Sequence, residues 1–209
     1  MNNVMALPTK LDLYKEHKAE YVSPKKPVLV QVKTARYLAI EGRGAPGGPV
    51  FAAKIGALYG VAFTVKMTRK FAGLEDYTVG KLEGQWFFDA GEGCPPARKD
   101  DWRWTLLIRT PDFIGPEDVT KAVAALLDKG KSPEVKEVKI ETFTEGQCVQ
   151  MLHVGPYDRE PETIQVMKDY AADKGLKLAG PHHEIYLSDP RRVPPERLKT
   201  ILRVPVKAG

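Results

Sequence analysis

The chain has two cysteines in 209 residues. Cys94 and Cys148 lie far apart, without C-x-x-C spacing, so a disulfide framework and a paired-thiol redox motif are excluded and reduced structural thiols are expected. No apolar run reaches the ~18 residues that a bilayer-spanning helix needs. The opening MNNVMALPTKLDLYKEHKAEY lacks the apolar core of a signal peptide. A cytoplasmic protein with no membrane partner is therefore expected. The net charge of +5 is spread among acids, as in KKPVLVQVKTAR and PEVKEVKIE, and no helix-turn-helix, finger or aromatic RNA-binding signature appears. No direct nucleic-acid partner is expected. The stretch GRGAPGG lacks the lysine and following Ser or Thr of a phosphate loop, and reads as a chain reversal. His182 and His183 are adjacent, hence on opposite faces of an extended strand. No metal and no cofactor are expected.

What is present suits a globular α+β domain. Hydrophobic residues make up 43% of the chain, enough for a sizeable core. Residues 1–26 read as an irregular or partly helical arm. PVLVQVKTARYLAIEGRG then alternates like one bent strand or two short ones. Pro49 is placed to start a helix in which Phe51, Ile55, Leu58, Tyr59, Ala62 and Phe63 recur at helical spacing. YTVGKLEGQWFFD and DWRWTLLIRTP read as an antiparallel hairpin around the loop AGEGCPPARKD. GPEDVTKAVAALLDKGK gives a connecting helix over 116–130.

The pattern then recurs. VKEVKIETFTEGQCVQMLHVG gives strand signals, and PYDREPETIQVMKDYAADKGL gives a helix with Ile164, Met167, Tyr170 and Ala171 on one face. HHEIYLSDP and LKTILRVPV form another strand pair. A strand-helix-strand-strand module stated twice, over 27–112 and 134–207, implies a pseudo-two-fold pair with a central ligand cleft.

The chemistry-bearing candidates cluster around that cleft. Trp86, Trp102 and Trp104 lie in one hairpin, where they either fill the core or wall a pocket for a flat ligand. Tyr157 stands at a Gly-Pro turn before the second helix, either covering the turn or donating its phenol to a developing oxyanion. His153, upstream of it, is a structural histidine or a base. Glu184 sits mid-strand between two histidines and Tyr186. It either faces water or faces inward, where a carboxyl is paired, protonated or used. Glu83 shares a face with Gln85 but opposes Trp86 under strict alternation, so a bulge near Gly84 is needed to bring both to one side.

At KLEGQWFF, HVGPYDREPETI and HHEIYLSDP, and in the duplicated module that orders them, the chain resembles the GyrI-like small-molecule-binding family. The resemblance extends from Pro27 to the C-terminus and implies a single domain over 27–209. It also implies a hydrophobic, aromatic-walled cleft with a buried glutamate, which matches Glu184. In transcription activators of the family that acid receives cationic drugs. The arm here is too short for a DNA-binding module. This longer stand-alone form looks most like the branch that hydrolyses cyclopropanoid DNA-alkylating natural products of the yatakemycin and duocarmycin type, in detoxification. The resemblance thus implies Glu184 and Tyr157 as catalytic residues. It implies Trp86, Trp102, Trp104, Tyr59, Glu83, His153 and Tyr186 as ligand contacts, and a flat aromatic or cationic small molecule as partner. The alternative is a non-catalytic binder that sequesters or senses such drugs.

Overall fold

Each long strand that leads into a helix is followed by a pair of adjacent sheet strands, and the sheet is built from that unit, with one further short strand in the second half. The computed structural model describes residues 10–87 and 101–209. In chain order the elements are α1 (Leu13–Glu16), α2 (Lys18–Tyr21), β1 (Val28–Val32), β2 (Ala35–Arg43) and α3 (Pro49–Phe71). Then come β3 (Glu83–Phe87), β4 (Arg103–Thr110), α4 (Pro116–Asp128), β5 (Lys139–Phe143) and β6 (Gly146–Val154). The chain ends with α5 (Glu160–Asp173), β7 (Leu176–Leu178), β8 (His182–Tyr186) and β9 (Lys199–Ala208).

The strands form one antiparallel sheet in the order β1-β6-β9-β8-β3-β4-β2-β5, with β7 beside β9. The same connection is met from either end. A long strand, β2 or β6, leads through α3, or through α5 and the short β7, to two strands, β3 and β4 or β8 and β9. The second of these pairs with the long strand, and the first meets its counterpart at the sheet centre, β3 against β8. The bent strand of the first half divides into β1 and β2, which pair with different neighbours: β1 with β6, and β2 with β4 and β5.

α3 starts after a turn in which Gly47 takes φ +81, a region costly for a side chain, and Pro49 occupies its first turn. Its buried stripe is Ala57, Leu58, Val61, Ala62 and Val65, packed on Leu38, Ile40, Leu106 and Ile108 of β2 and β4. This corrects the expected face by a rotation about the helix axis. Leu58 and Ala62 are buried, whereas Phe63 is 52% exposed, and Phe51, Ile55 and Tyr59 lie at the flank of the core. A second correction concerns length and composition, by which α3 is apolar enough to cross a membrane. Lys54 and Lys66 break the run, so the uninterrupted stretch looks short. Here they pair with Glu137 at 2.6 Å and Asp76 at 2.9 Å.

α3 lies over β2 and β4, and α5 lies over β6 and β7, on the same face of the sheet. The central strands β3 and β8 therefore floor the gap between the two helices. The opposite face is covered by the short helices α1 and α2, whose Tyr14 and Tyr21 stack at 3.8 Å and pack on Ile185 and Ile201. Phe88 and Cys94 lie outside the described residues. Cys148 is free and buried, and burial pushes its thiol up to about 12, which leaves it unreactive as a nucleophile.

Candidate functional site

The register across the sheet centre decides which polar residues meet. Gly84 is opposite Glu184 and Trp86 opposite His182. Trp86 is also opposite Trp104, and Tyr186 opposite Thr200, which in turn faces His153. Alternation is strict over this stretch, so these residues share the helix-covered face. Glu83, Gln85, His183 and Arg203 share the other.

On the helix-covered face Glu184 is 8% exposed. His182 Nε2 lies 3.2 Å from Glu184 Oε1, out of line for a hydrogen bond, and the Tyr186 hydroxyl lies against the same carboxyl. α5 begins with Glu160, delivered there by the Gly155–Pro156 turn, in which Gly155 takes φ +147. Glu160 is 6% exposed and lies against Glu184 and Thr200, with its Oε1 lacking a partner. Burial first, and then the charge of Glu184, push the Glu160 carboxyl well above the usual carboxylate range. Tyr157 stands at the rim, its ring edge-on to Tyr186 at 6.0 Å. Burial and the two carboxyls push its phenol up to about 12, so it keeps its proton.

Glu160, His182 and Glu184 offer ligand-type atoms within 4.8 Å of one another. Two buried carboxyls this close need a shared proton or a cation to offset their charge.

Gly84 lets the Tyr186 and Trp86 side chains close over the floor. A Cβ there would come within 3.1 Å of Tyr186 Oη and 3.4 Å of Trp86 Nε1. Trp86 is stacked by Phe51 at 6.0 Å and met edge-on by Trp102 at 5.6 Å. Tyr59 stacks with Phe63 at 6.0 Å on the facing side of α3. Acid at the floor and aromatic rings on the flanks make a surface suited to a flat, partly polar molecule.

Three residues expected at the ligand lie elsewhere. Trp104 is 1% exposed, its ring covering Gly42 so closely that a Cβ there would overlap it, and its Nε1 donates to Gly44 O at 3.0 Å. It belongs to the core rather than to the wall of the groove. His153 is tied down: Nε2 donates to Pro156 O at 3.1 Å and Nδ1 meets Thr163 Oγ1 at 2.8 Å. It sets the turn that delivers Tyr157 and Glu160.

Glu83 takes the opposite face, since no bulge realigns β3. It is fully buried, accepts from Tyr14 and Tyr21 hydroxyls at 3.2 Å each, and meets His183 at 3.1 Å. His183 Nδ1 lies 2.9 Å from Glu145, which also receives Arg203 at 2.8 Å, while Arg109 pairs with Glu20 at 2.6 Å. Three carboxylates thus face two guanidinium groups, and a protonated His183 supplies the third positive charge. Burial pulls the His183 imidazole down, but Glu145 and Glu83 outweigh it and raise the group to about 9. This network fastens the arm to the sheet.

The residue missed in the sequence is Glu160. An acid in the first turn of a helix is ordinary, because it complements the helix dipole. Only the return of α5 onto the sheet brings it to Glu184.

The model of the GyrI-like small molecule binding domain matches residues 25–207. The chain belongs to this family. A search of curated proteins found no significant match. Among solved structures, an uncharacterized conserved protein from Listeria innocua is 37% identical, with 95% of this chain and 100% of that one covered and a TM-score of 0.88. A protein described as a hydrolase from Listeria innocua is 36% identical over the same shares, with a TM-score of 0.85. The EcmrR C-terminal domain shares the fold alone, at 11% identity and a TM-score of 0.58 over 88% of this chain and 98% of that one.

Proposed function

We propose that this GyrI-like protein is a hydrolase that adds water to the activated cyclopropane of flat aromatic DNA-alkylating compounds of the yatakemycin and duocarmycin type, as detoxification. The observation that carries the reading is Glu184, a carboxyl 8% exposed at the floor of an aromatic-flanked groove, with a second acid and the Tyr186 phenol against it and the Tyr157 phenol at the rim. The similar Listeria protein described as a hydrolase supports the class of reaction.

The chemistry asks little of covalent catalysis and much of positioning. A spiro-cyclopropane conjugated to a dienone is electrophilic at its methylene carbon. Water oxygen bonds to that carbon, the ring C–C bond breaks, and its electron pair passes to the carbonyl oxygen, which becomes a phenolate and then takes a proton. Glu184 orients the water and accepts its proton. Tyr157 donates a hydrogen bond to the water or to the developing oxyanion. Trp86, Trp102, Tyr59 and Tyr186 hold the polycycle.

The second reading is a binder without turnover, favoured by the same acid among aromatic rings, which suits an aromatic cation through cation-π contact and counter-charge. Incubation of the protein with excess duocarmycin-type cyclopropanoid, followed by mass spectrometry, separates the two. Gain of one water over many turnovers, cut roughly a hundredfold in Glu184→Gln with binding retained, supports the hydrolase. Tight binding of unaltered ligand makes the protein a sequestering domain.

A further inference from the structure

Two carboxyls in a buried site cannot both be charged without a counter-ion or a proton between them. The groups facing this pair are His182 and Tyr186 from β8, Thr200 from β9, and Tyr157 from the turn before α5. Trp86 of β3 lies beside the Tyr186 hydroxyl. His153 of β6 is engaged by Thr163 and Pro156. The proton therefore has a place between the acids themselves, and the two are not equivalent hosts. Glu184 has the Tyr186 hydroxyl and His182 beside it. Glu160 meets Thr200 and Glu184, and its Oε1 is buried without a partner.

We infer that Glu160 is the positioning partner of Glu184: its carboxylic acid O–H donates to the Glu184 carboxylate and holds that base aimed into the groove. The inference deepens the hydrolase reading and rests on it for its catalytic consequence. Glu160 holds its own proton throughout the step. Water gives its proton to Glu184, water oxygen bonds to the methylene carbon, and the electron pair of the broken C–C bond leaves on the substrate oxygen. Burial and the neighbouring charge of Glu184 raise the Glu160 carboxyl well above the usual carboxylate range and so favour its protonated form.

The turn geometry explains why the acid can serve this way. His153 fixes the carbonyl of Pro156, and Gly155 allows the reversal that starts α5 directly over β8 and β9. Glu160 thus reaches Glu184 from a rigid helix end, not from a loop.

Two measurements test the pair. Infrared spectra at neutral pH should contain the C=O band of a protonated, deuterium-sensitive carboxylic acid that is absent from Glu160→Gln; persistence of that band overturns the assignment whether or not the protein turns over any substrate. In pH-rate profiles, Glu160→Gln, which keeps a donor and no charge, should hold kcat within a few-fold and lose the alkaline limb. Glu160→Leu should lower kcat roughly tenfold to a hundredfold and also lose the alkaline limb, because Glu184 then lacks the donor that holds it in place. Profiles of both variants that coincide with the parent overturn the positioning role. If the parent shows no turnover and the infrared band still vanishes in Glu160→Gln, the hydrolase reading fails while the shared proton stands.

Discussion

Glu83 and Glu184 sit on adjacent central strands and project from opposite faces of the sheet, because the residue across from Glu184 is Gly84 and the residue across from Glu83 is Ile185. One acid is locked under the arm and the other opens to the groove. The glycine between them in register makes the room. Gly84→Ala places a methyl group 3.1 Å from Tyr186 Oη, close enough that the phenol must give by a few tenths of an ångström, and 3.4 Å from Trp86 Nε1. Tyr186 then shifts against Glu184, and kcat/KM toward a cyclopropanoid falls roughly tenfold to a hundredfold, with a far-ultraviolet spectrum like the parent's. An unchanged kcat/KM means that the Gly84 gap does not position Tyr186.

The opposite face makes a pH prediction with two flanks. Burial pushes the Glu145 carboxyl up, but His183 and Arg203 outweigh it and hold it at about 2, below its ordinary 4.5. Its contribution is therefore complete above pH 4.5 and is lost as pH falls through 2. His183, raised from 6.5 to about 9, contributes fully below pH 6.5 and loses that contribution as pH rises through 9. Unfolding midpoints in urea should form a plateau between these flanks. Glu145→Gln removes one partner of a buried set, costs about 3–5 kcal/mol, and flattens both flanks. A parent midpoint that does not change between pH 6.5 and 9 contradicts the protonated His183.

The tryptophans separate by function. Trp104 is sealed beneath α3 with Phe51 edge-on at 4.9 Å, so Trp104→Ala should cost about 3–5 kcal/mol of stability. Trp102 packs only partly against the core, so Trp102→Ala should instead weaken a flat aromatic ligand by up to about tenfold. Thermal unfolding and fluorescence titration read the two effects. Loss of ligand affinity from a folded Trp104→Ala equal to that from Trp102→Ala would place both rings at the ligand.

Elements with strong local signals are legible in the amino-acid order. β3 and β4, β8 and β9, α4 and α5 follow from alternation, helical spacing and their Gly-Pro punctuation, and the sheet pairs them as hairpin reasoning expects. Glu184, Tyr157 and Tyr186 stand out because a carboxyl mid-strand and a phenol at a Gly-Pro turn are unusual there. Face assignment across the sheet is not legible for Glu83 and Trp104. Period-two alternation gives two faces but does not say which lies under a helix, and the answer depends on pairings between distant strands. Glu160 is hidden for a related reason: its place in a helix's first turn looks ordinary until α5 docks. The ten-residue arm from Asp12 to Tyr21 carries no strong signal, since its order comes from tertiary partners such as Glu83 and Arg109.

That arm supplies the last prediction. The Tyr21 hydroxyl donates to Glu83 Oε1 at 3.2 Å and accepts from Arg109 Nη1 at 3.1 Å, bridging an acid of β3 to a base of β4. Tyr21→Phe keeps the ring over Ile185 and Ile201 but leaves two buried charges each short of one partner, at a cost of about 1–3 kcal/mol. Because those charges lie on the side of the sheet away from Glu184, kcat and ligand affinity should match the parent once the protein is folded. Urea unfolding together with steady-state kinetics reads both quantities. A midpoint that falls while kcat holds makes the arm a structural clasp. A fall in kcat alongside it would mean that strain on β3 passes through the sheet to the groove, because Glu83 and Gly84 are consecutive residues of one strand.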